Sequence, residues 1–235
     1  MDRRAFLVAG GAAAVVGLTG VAARAAVRWP IFEWARPTGF FFPGELVQTP
    51  PPLAVYDDGT AYADATASFP LRARQAESLR AHTVAVLRNP RHTERDRSKP
   101  PGRDQPEDRL RVRDDDGTYL TAELDDWGDG DPAHAYPDAL HELAAHVQEL
   151  RRHVLRGGEP WRPNAVLLAA VRLDFAPDDA VPWPAGIPVP DRIERRVPGA
   201  RAQAVRGNLR SELTAYRTSP GHYVAAAWRH LLPHE

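Results

Sequence analysis

Along this chain the spacing of apolar positions changes in a regular order. Leu53-Ala54-Val55-Tyr56 and Thr60-Ala61-Tyr62-Ala63 are β-prone runs on either side of Asp57-Asp58-Gly59, which predicts a hairpin through an Asp-Gly turn. From Leu71 to Leu87 the period lengthens. Ala76, Leu79, Thr83 and Val86 fall at three- and four-residue steps, so this segment is expected to be a helix with one buried stripe. The same order then recurs. Leu110-Arg111-Val112, Asp115-Asp116-Gly117 and Thr118-Tyr119 predict a second hairpin, with strand residues continuing through Leu124. A second helix is expected from Pro137 to Leu155, its stripe formed by Leu140, Leu143, Val147, Leu150 and Val154. Pro137 suits its first turn, and Gly157-Gly158 its end.

The remainder has a third rhythm. Ala165 to Phe175 reads as a buried strand, followed by a Pro-rich coil through Pro182-Trp183-Pro184 that is expected to cross the surface in extended form. Arg201 to Arg206 is expected to be a strand, with Asn208 capping a short helix that carries Leu209, Leu213 and Tyr216. A last strand covers Tyr223 to Trp228. Together these predict an α+β fold: a mainly antiparallel sheet of two ββα units plus a C-terminal βαβ-like unit, with helices on one face.

Two segments fall outside this scheme. Residues 26–52 are aromatic and Pro-rich (Trp29, Phe32, Trp34, Phe40-Phe41-Phe42, Pro50-Pro51-Pro52). They are expected to be irregular, with their aromatics packed along the body rather than exposed as a patch. Residues 89–109 are rich in Pro, Arg, Asp and Glu, which predicts a mobile insertion. The expected organisation is a signal at 1–25, the aromatic segment at 26–52 and one α+β domain at 53–235.

The first residues address the chain. Arg3-Arg4-x-Phe6-Leu7, an apolar Ala/Gly/Val run and Ala23-Arg24-Ala25 form the pattern of a twin-arginine export signal with an Ala-x-Ala cleavage site. Val8 to Ala23 is rich in Ala and Gly and shorter than the roughly 20 strongly apolar residues of a spanning helix. Membrane association is therefore expected only if the signal is left uncut, and the protein is expected outside the cytoplasm or in the cell envelope.

Composition narrows the partners. A formal net charge of −1 supplies no surplus of cations to displace counterions from phosphate, which argues against nucleic acid. With no cysteine, disulfides, thiol nucleophiles, thiolate metal sites and a lipid-modified cysteine are all excluded. No dinucleotide or phosphate-loop glycine pattern and no Gly-x-Ser-x-Gly elbow occurs, so no cofactor and no catalytic residue is assigned.

The candidate chemistry is thin. Asp125, Asp129 and Asp131 lie on a Gly-containing loop and could offer oxygen ligands to calcium. The EF-hand order fails, however, because Trp127 and Tyr136 occupy ligand positions. His141, His146 and His153 lack the four-residue spacing of a helical zinc pair, and Pro233 separates His230 from His234. Glu142 and Glu149 have no pocket in view to serve a glycosidase, and Ser219-Pro220-Gly221-His222 reads first as a turn. Trp127, Trp161 and Trp183 sit in loops beside Pro, Gly or Asp, where indoles can stack on sugars or simply anchor the loops.

Val55 to Thr60, Trp161-Arg162-Pro163, Val181-Pro182-Trp183-Pro184 and Trp228-Arg229-His230-Leu231-Leu232-Pro233 together resemble segments of uncharacterised exported proteins and predicted lipoproteins of high-GC Gram-positive bacteria. That resemblance implies a location and a fold, with no assigned activity. The function expected from all this is a non-catalytic binding or structural factor of the envelope or extracellular space. Its ligand would be a cell-wall saccharide or an envelope protein. The alternative expectation is an exported hydrolase of wall or extracellular polymers, with its site near the 125–131 loop.

Overall fold

The computed structural model describes residues 28–38, 49–99, 107–128 and 134–235. The expected export motif Arg3, Arg4, Phe6 and Leu7, the run Phe40 to Phe42, and Asp129 and Asp131 lie outside the described residues. The fold is α+β, and the strands divide into two sheets.

The larger sheet is built around β1 (Phe32–Thr38), which lies between β2 (Leu53–Val55) and β5 (Glu107–Arg113), antiparallel to both. Outward from β2 come β3 (Thr60–Ala63), β4 (Ala67–Pro70) and the short β7 (Glu159–Pro160); outward from β5 comes β6 (Tyr119–Asp125). This corrects the irregular reading of 26–52, because that segment carries the strand joining the two hairpins. Phe32 pairs with Val55 and Val112, and Trp34 with Leu53 and Leu110, so both aromatics fall on the same inner face as the hairpins' apolar residues. The alternation is short, and its pairing partners are distant in sequence, so the local pattern alone is weak.

The two hairpin turns repeat each other in detail. Gly59 and Gly117 have φ of 81° and 85°, conformations glycine takes without a Cβ penalty. The Thr60 amide donates to Asp58 Oδ1 and the Thr118 amide to Asp116 Oδ1. Such side-chain acceptance is why Asp recurs in tight turns.

Helices α1 (Ala73–Leu87) and α2 (Asp138–Gly157) cover the inner face. Leu79 and Val86 from α1, and Leu140, Leu143, Val147 and Val154 from α2, join Phe32, Trp34, Leu53 and Leu110 in one buried cluster. Each fully buried side chain of this size contributes roughly 1.5–3 kcal/mol relative to exposure.

Residues 89–99, expected to be mobile, begin with a 3-10 turn at Pro90–His92 and hydrogen-bond across to the loop that follows β6. The Asp96 amide donates to Ala135 O, Arg95 to Asp125 O and Lys99 Nζ to His134 O. Polar side chains order this stretch where apolar burial could not. Strand β5 begins at Glu107, three residues before the expected Leu110.

The second sheet runs β10 (Glu194–Pro198), β8 (Ala165–Leu173), β12 (His222–His230), β11 (Thr214–Ser219) and β9 (Val181–Pro182). Its pairs are antiparallel except β11 with β9. Helix α3 (Gly199–Asn208) packs on it through Ala202 and Val205. Here the expected C-terminal unit is corrected twice. Residues 201–206 are helical rather than extended, and the stretch beyond Asn208 leads into a strand rather than a helix. The Ala-rich run favours helix, while Thr214 to Ser219 has a long strand, β12, to pair with. Asn208 ends the helix, its side-chain amide donating to Ala204 O at 2.8 Å.

A third cluster joins the sheets. Ala54, Tyr56, Tyr62 and Ala65, on the outer face of the larger sheet, enclose Leu232 from the segment after β12, with Trp161 packed against them. No helix among the described residues is long and apolar enough to cross a membrane.

Candidate functional site

The loop after β6 was the expected site. Asp125 is exposed at the end of the strand, its amide donating to the Tyr136 hydroxyl. Asp126 follows with φ of 59° and lies 3.6 Å from an Arg95 nitrogen. Trp127 then turns into the core, 1% exposed, edge-on to Trp34 with ring centroids 5.6 Å apart. Its indole Nε1 donates to Leu140 O. This placement leaves Trp127 no face for a sugar. Among the described residues no group of three or more His, Cys, Asp or Glu is placed to hold a metal ion.

The organising group is Asp108, which the sequence reading missed. Its side chain is 0% exposed. Oδ1 accepts from Trp34 Nε1 at 2.5 Å and from Arg36 Nε at 3.0 Å, while Oδ2 accepts from the Gly128 amide at 2.6 Å. Burial pushes its pKa above the ordinary carboxylate value, and the Trp34, Arg36 and Gly128 contacts pull it back only in part. The signal that could have found it is period two: in Asp108-Arg109-Leu110-Arg111-Val112 the carboxylate shares the face of Leu110 and Val112. Beside it lies a pocket of about 280 Å³ bounded by Trp34, Arg36, Gly128, Gln148, Arg151 and Arg152. Arg151 is held by Asp64 through two bonds of 2.9 and 2.7 Å, and Arg152 lies 2.9 Å from Glu149.

The three loop tryptophans do not meet. Trp161 lies edge-on to Tyr62 between the two sheets and donates to Leu231 O. Trp183 packs against Tyr216 over the second sheet and donates to Ile187 O at 2.6 Å. Each indole N–H is taken by a backbone carbonyl.

A second polar chain runs through the outer face of the larger sheet. His234 Nε2 is 3.0 Å from Glu33 Oε1, and its Nδ1 is 2.7 Å from the Tyr56 hydroxyl. The order Glu–His–hydroxyl suits proton transfer, but Tyr56 is 0% exposed, and burial drives its pKa far above the ordinary value. The arrangement therefore fastens the C-terminal segment to β1 and β2. Glu235 closes the same segment, accepting from Arg229 at 2.8 and 2.6 Å and from the Leu232 amide.

The remaining candidates are dispersed. Glu149 pairs with Arg152 and Arg156, and His153 lies edge-on to Phe69. His141 lies against His134, with ring centroids 5.0 Å apart, and His146 against His82 at 6.1 Å. Ser219 and His222 face each other across the β11–β12 turn, where His222 Nδ1 lies 3.0 Å from Pro220 O. Comparison with protein-family models, with curated proteins and with solved structures found no match to this chain.

Proposed function

We propose that this chain is an exported, non-catalytic binding or structural factor of the cell envelope or extracellular space. Arg3-Arg4-x-Phe6-Leu7 supports the twin-arginine route. The observation that carries the non-catalytic reading is Asp108, a fully buried carboxylate on β5 beside the expected site. Both of its oxygens are engaged in holding β1, β5 and the 125–128 loop together. A general acid or base must present its proton to a substrate, and this group faces the protein's own donors. Glu33 and Tyr56 are likewise turned toward His234.

The test has two arms. Replacing Arg3 and Arg4 together by Lys should leave the full chain in the cytoplasm of a host with a working twin-arginine pathway. The mature chain should co-sediment with isolated cell walls and release no soluble sugar or peptide from them. Release of such fragments, lost on replacing a described acidic residue, would establish the hydrolase instead.

A further inference from the structure

Under α3 the second sheet encloses a slot of about 70 Å³. Its walls are apolar: Leu168 from β8, Val197 from β10, Ala204 and Val205 from α3, and Ile187 from the coil. The coil is pinned there by Trp183, whose Nε1 donates to Ile187 O. Three arginines line the same slot, Arg195 and Arg196 on β10 and Arg201 on α3, and of these Arg196 donates to Glu235 O.

Arg195 and Arg201 lack the carboxylate partners that several other arginines of the chain have. Arg36, Arg80, Arg88, Arg151 and Arg229 each have a carboxylate partner. Arg195 and Arg201 form no ion pair with any described residue. Arg201 also stands in the first turn of its helix, where a cation opposes the helix dipole. Two unneutralised cations beside an apolar slot complement a molecule with one anionic end and a short apolar body. We infer that this slot binds a short-chain carboxylate, with its chain on Leu168, Ile187 and Val205 and its carboxylate between Arg195 and Arg201. This rests on the binding reading above and adds a ligand class to it. A cavity of this size has room for several waters at ~10–15 Å³ each, which suits a few carbons rather than a large ligand.

The mature chain should be titrated with butanoate, hexanoate and butanamide, reading NMR shifts or calorimetric heats. Hexanoate is expected to bind saturably and more tightly than butanoate, by roughly three- to fourfold per methylene until the slot is full. Butanamide should bind about tenfold more weakly than butanoate. The double variant R195Q/R201Q should lose about tenfold in hexanoate affinity, with an unchanged melting temperature because both side chains are exposed. A second variant, Ala204→Leu, fills the slot and should block hexanoate while leaving both arginines in place. Equal binding of butanamide and butanoate, or unaltered binding by R195Q/R201Q, would overturn the inference. If hexanoate fails to bind while the mature chain still sediments with cell walls, the slot assignment falls and the binding reading stands.

Discussion

Trp34 and Asp108, 74 residues apart in sequence, meet at 2.5 Å through the indole N–H and a carboxylate oxygen inside the larger sheet. The contact ties the central strand to its neighbour β5, and the other oxygen of Asp108 holds the loop that carries Trp127. A buried carboxylate with three donors is stable only while all of them remain.

Replacing Asp108 by Ala should therefore destabilise the mature chain by about 3–5 kcal/mol, because Arg36 and two N–H groups lose their acceptor. Asp108→Asn keeps the shape but turns an amide toward the Gly128 N–H or toward Arg36 and Trp34, costing about 1–3 kcal/mol. Urea denaturation followed by tryptophan fluorescence reads both. Equal stability of D108A and wild type would show that the junction carries no weight.

Gly128 has no room for a side chain. A Cβ there would overlap the Trp34 ring, and would come within 2.5 Å of Asp108 Oδ1. Gly128→Ala should cost roughly 1–3 kcal/mol and alter the near-ultraviolet circular dichroism of the Trp34–Trp127 pair. An unchanged spectrum would mean that the loop does not sit against Trp34 in solution.

At the other polar junction, Tyr56→Phe removes the hydroxyl beside His234 Nδ1 while keeping the ring that meets Tyr62 edge-on. The expected cost is about 1 kcal/mol. Hydrogen exchange should quicken at residues 231–235 more than in β8. Uniform quickening would place the hydroxyl's role in the global fold rather than in fastening this segment.

Acid should loosen that segment in two steps. Burial first, then Arg206 and Arg162, hold His230 below its ordinary value of 6.5, against contacts with the Ala65 and Trp161 backbone. Its folded state prefers the neutral ring, so its contribution is complete above pH 6.5 and is lost as pH falls through the depressed value. Glu235 follows. Burial alone would raise its pKa, but Arg229 and the Leu232 amide hold it below 4.5, so its contribution is present above pH 4.5 and lost as pH falls further. The urea midpoint should begin to drop as pH falls below 6.5, before the Glu235 step below pH 4.5, and His230→Gln should reduce that first drop. An identical drop in the variant would assign it to other groups, such as His146, which partial desolvation and His82 also hold below its ordinary value.

Much of the larger sheet was legible before folding was considered. The hairpins at Asp57-Asp58-Gly59 and Asp115-Asp116-Gly117 rest on turn chemistry within a few residues, and α1 and α2 rest on stripes of three- and four-residue steps. The C-terminal unit was misread. Ala200 to Arg206 carries no apolar stripe wide enough to announce a helix, and Thr214 to Ser219 becomes a strand only by pairing with β12. Trp127 looked like a loop residue because its neighbours are Asp and Gly, but its ring fills the space beside Trp34.

By itself the sequence determined the exclusion of cysteine chemistry, the two Asp-Gly hairpins and the α+β class, since each depends on composition or on residues close together in the chain. Tertiary structure decided the rest: β1 as the central strand, Asp108 as a buried fastener, His234 between Glu33 and Tyr56, and two arginines left without carboxylates beside an apolar slot. These depend on which distant segments meet, and long-range pairing and burial leave little trace in any short stretch of sequence.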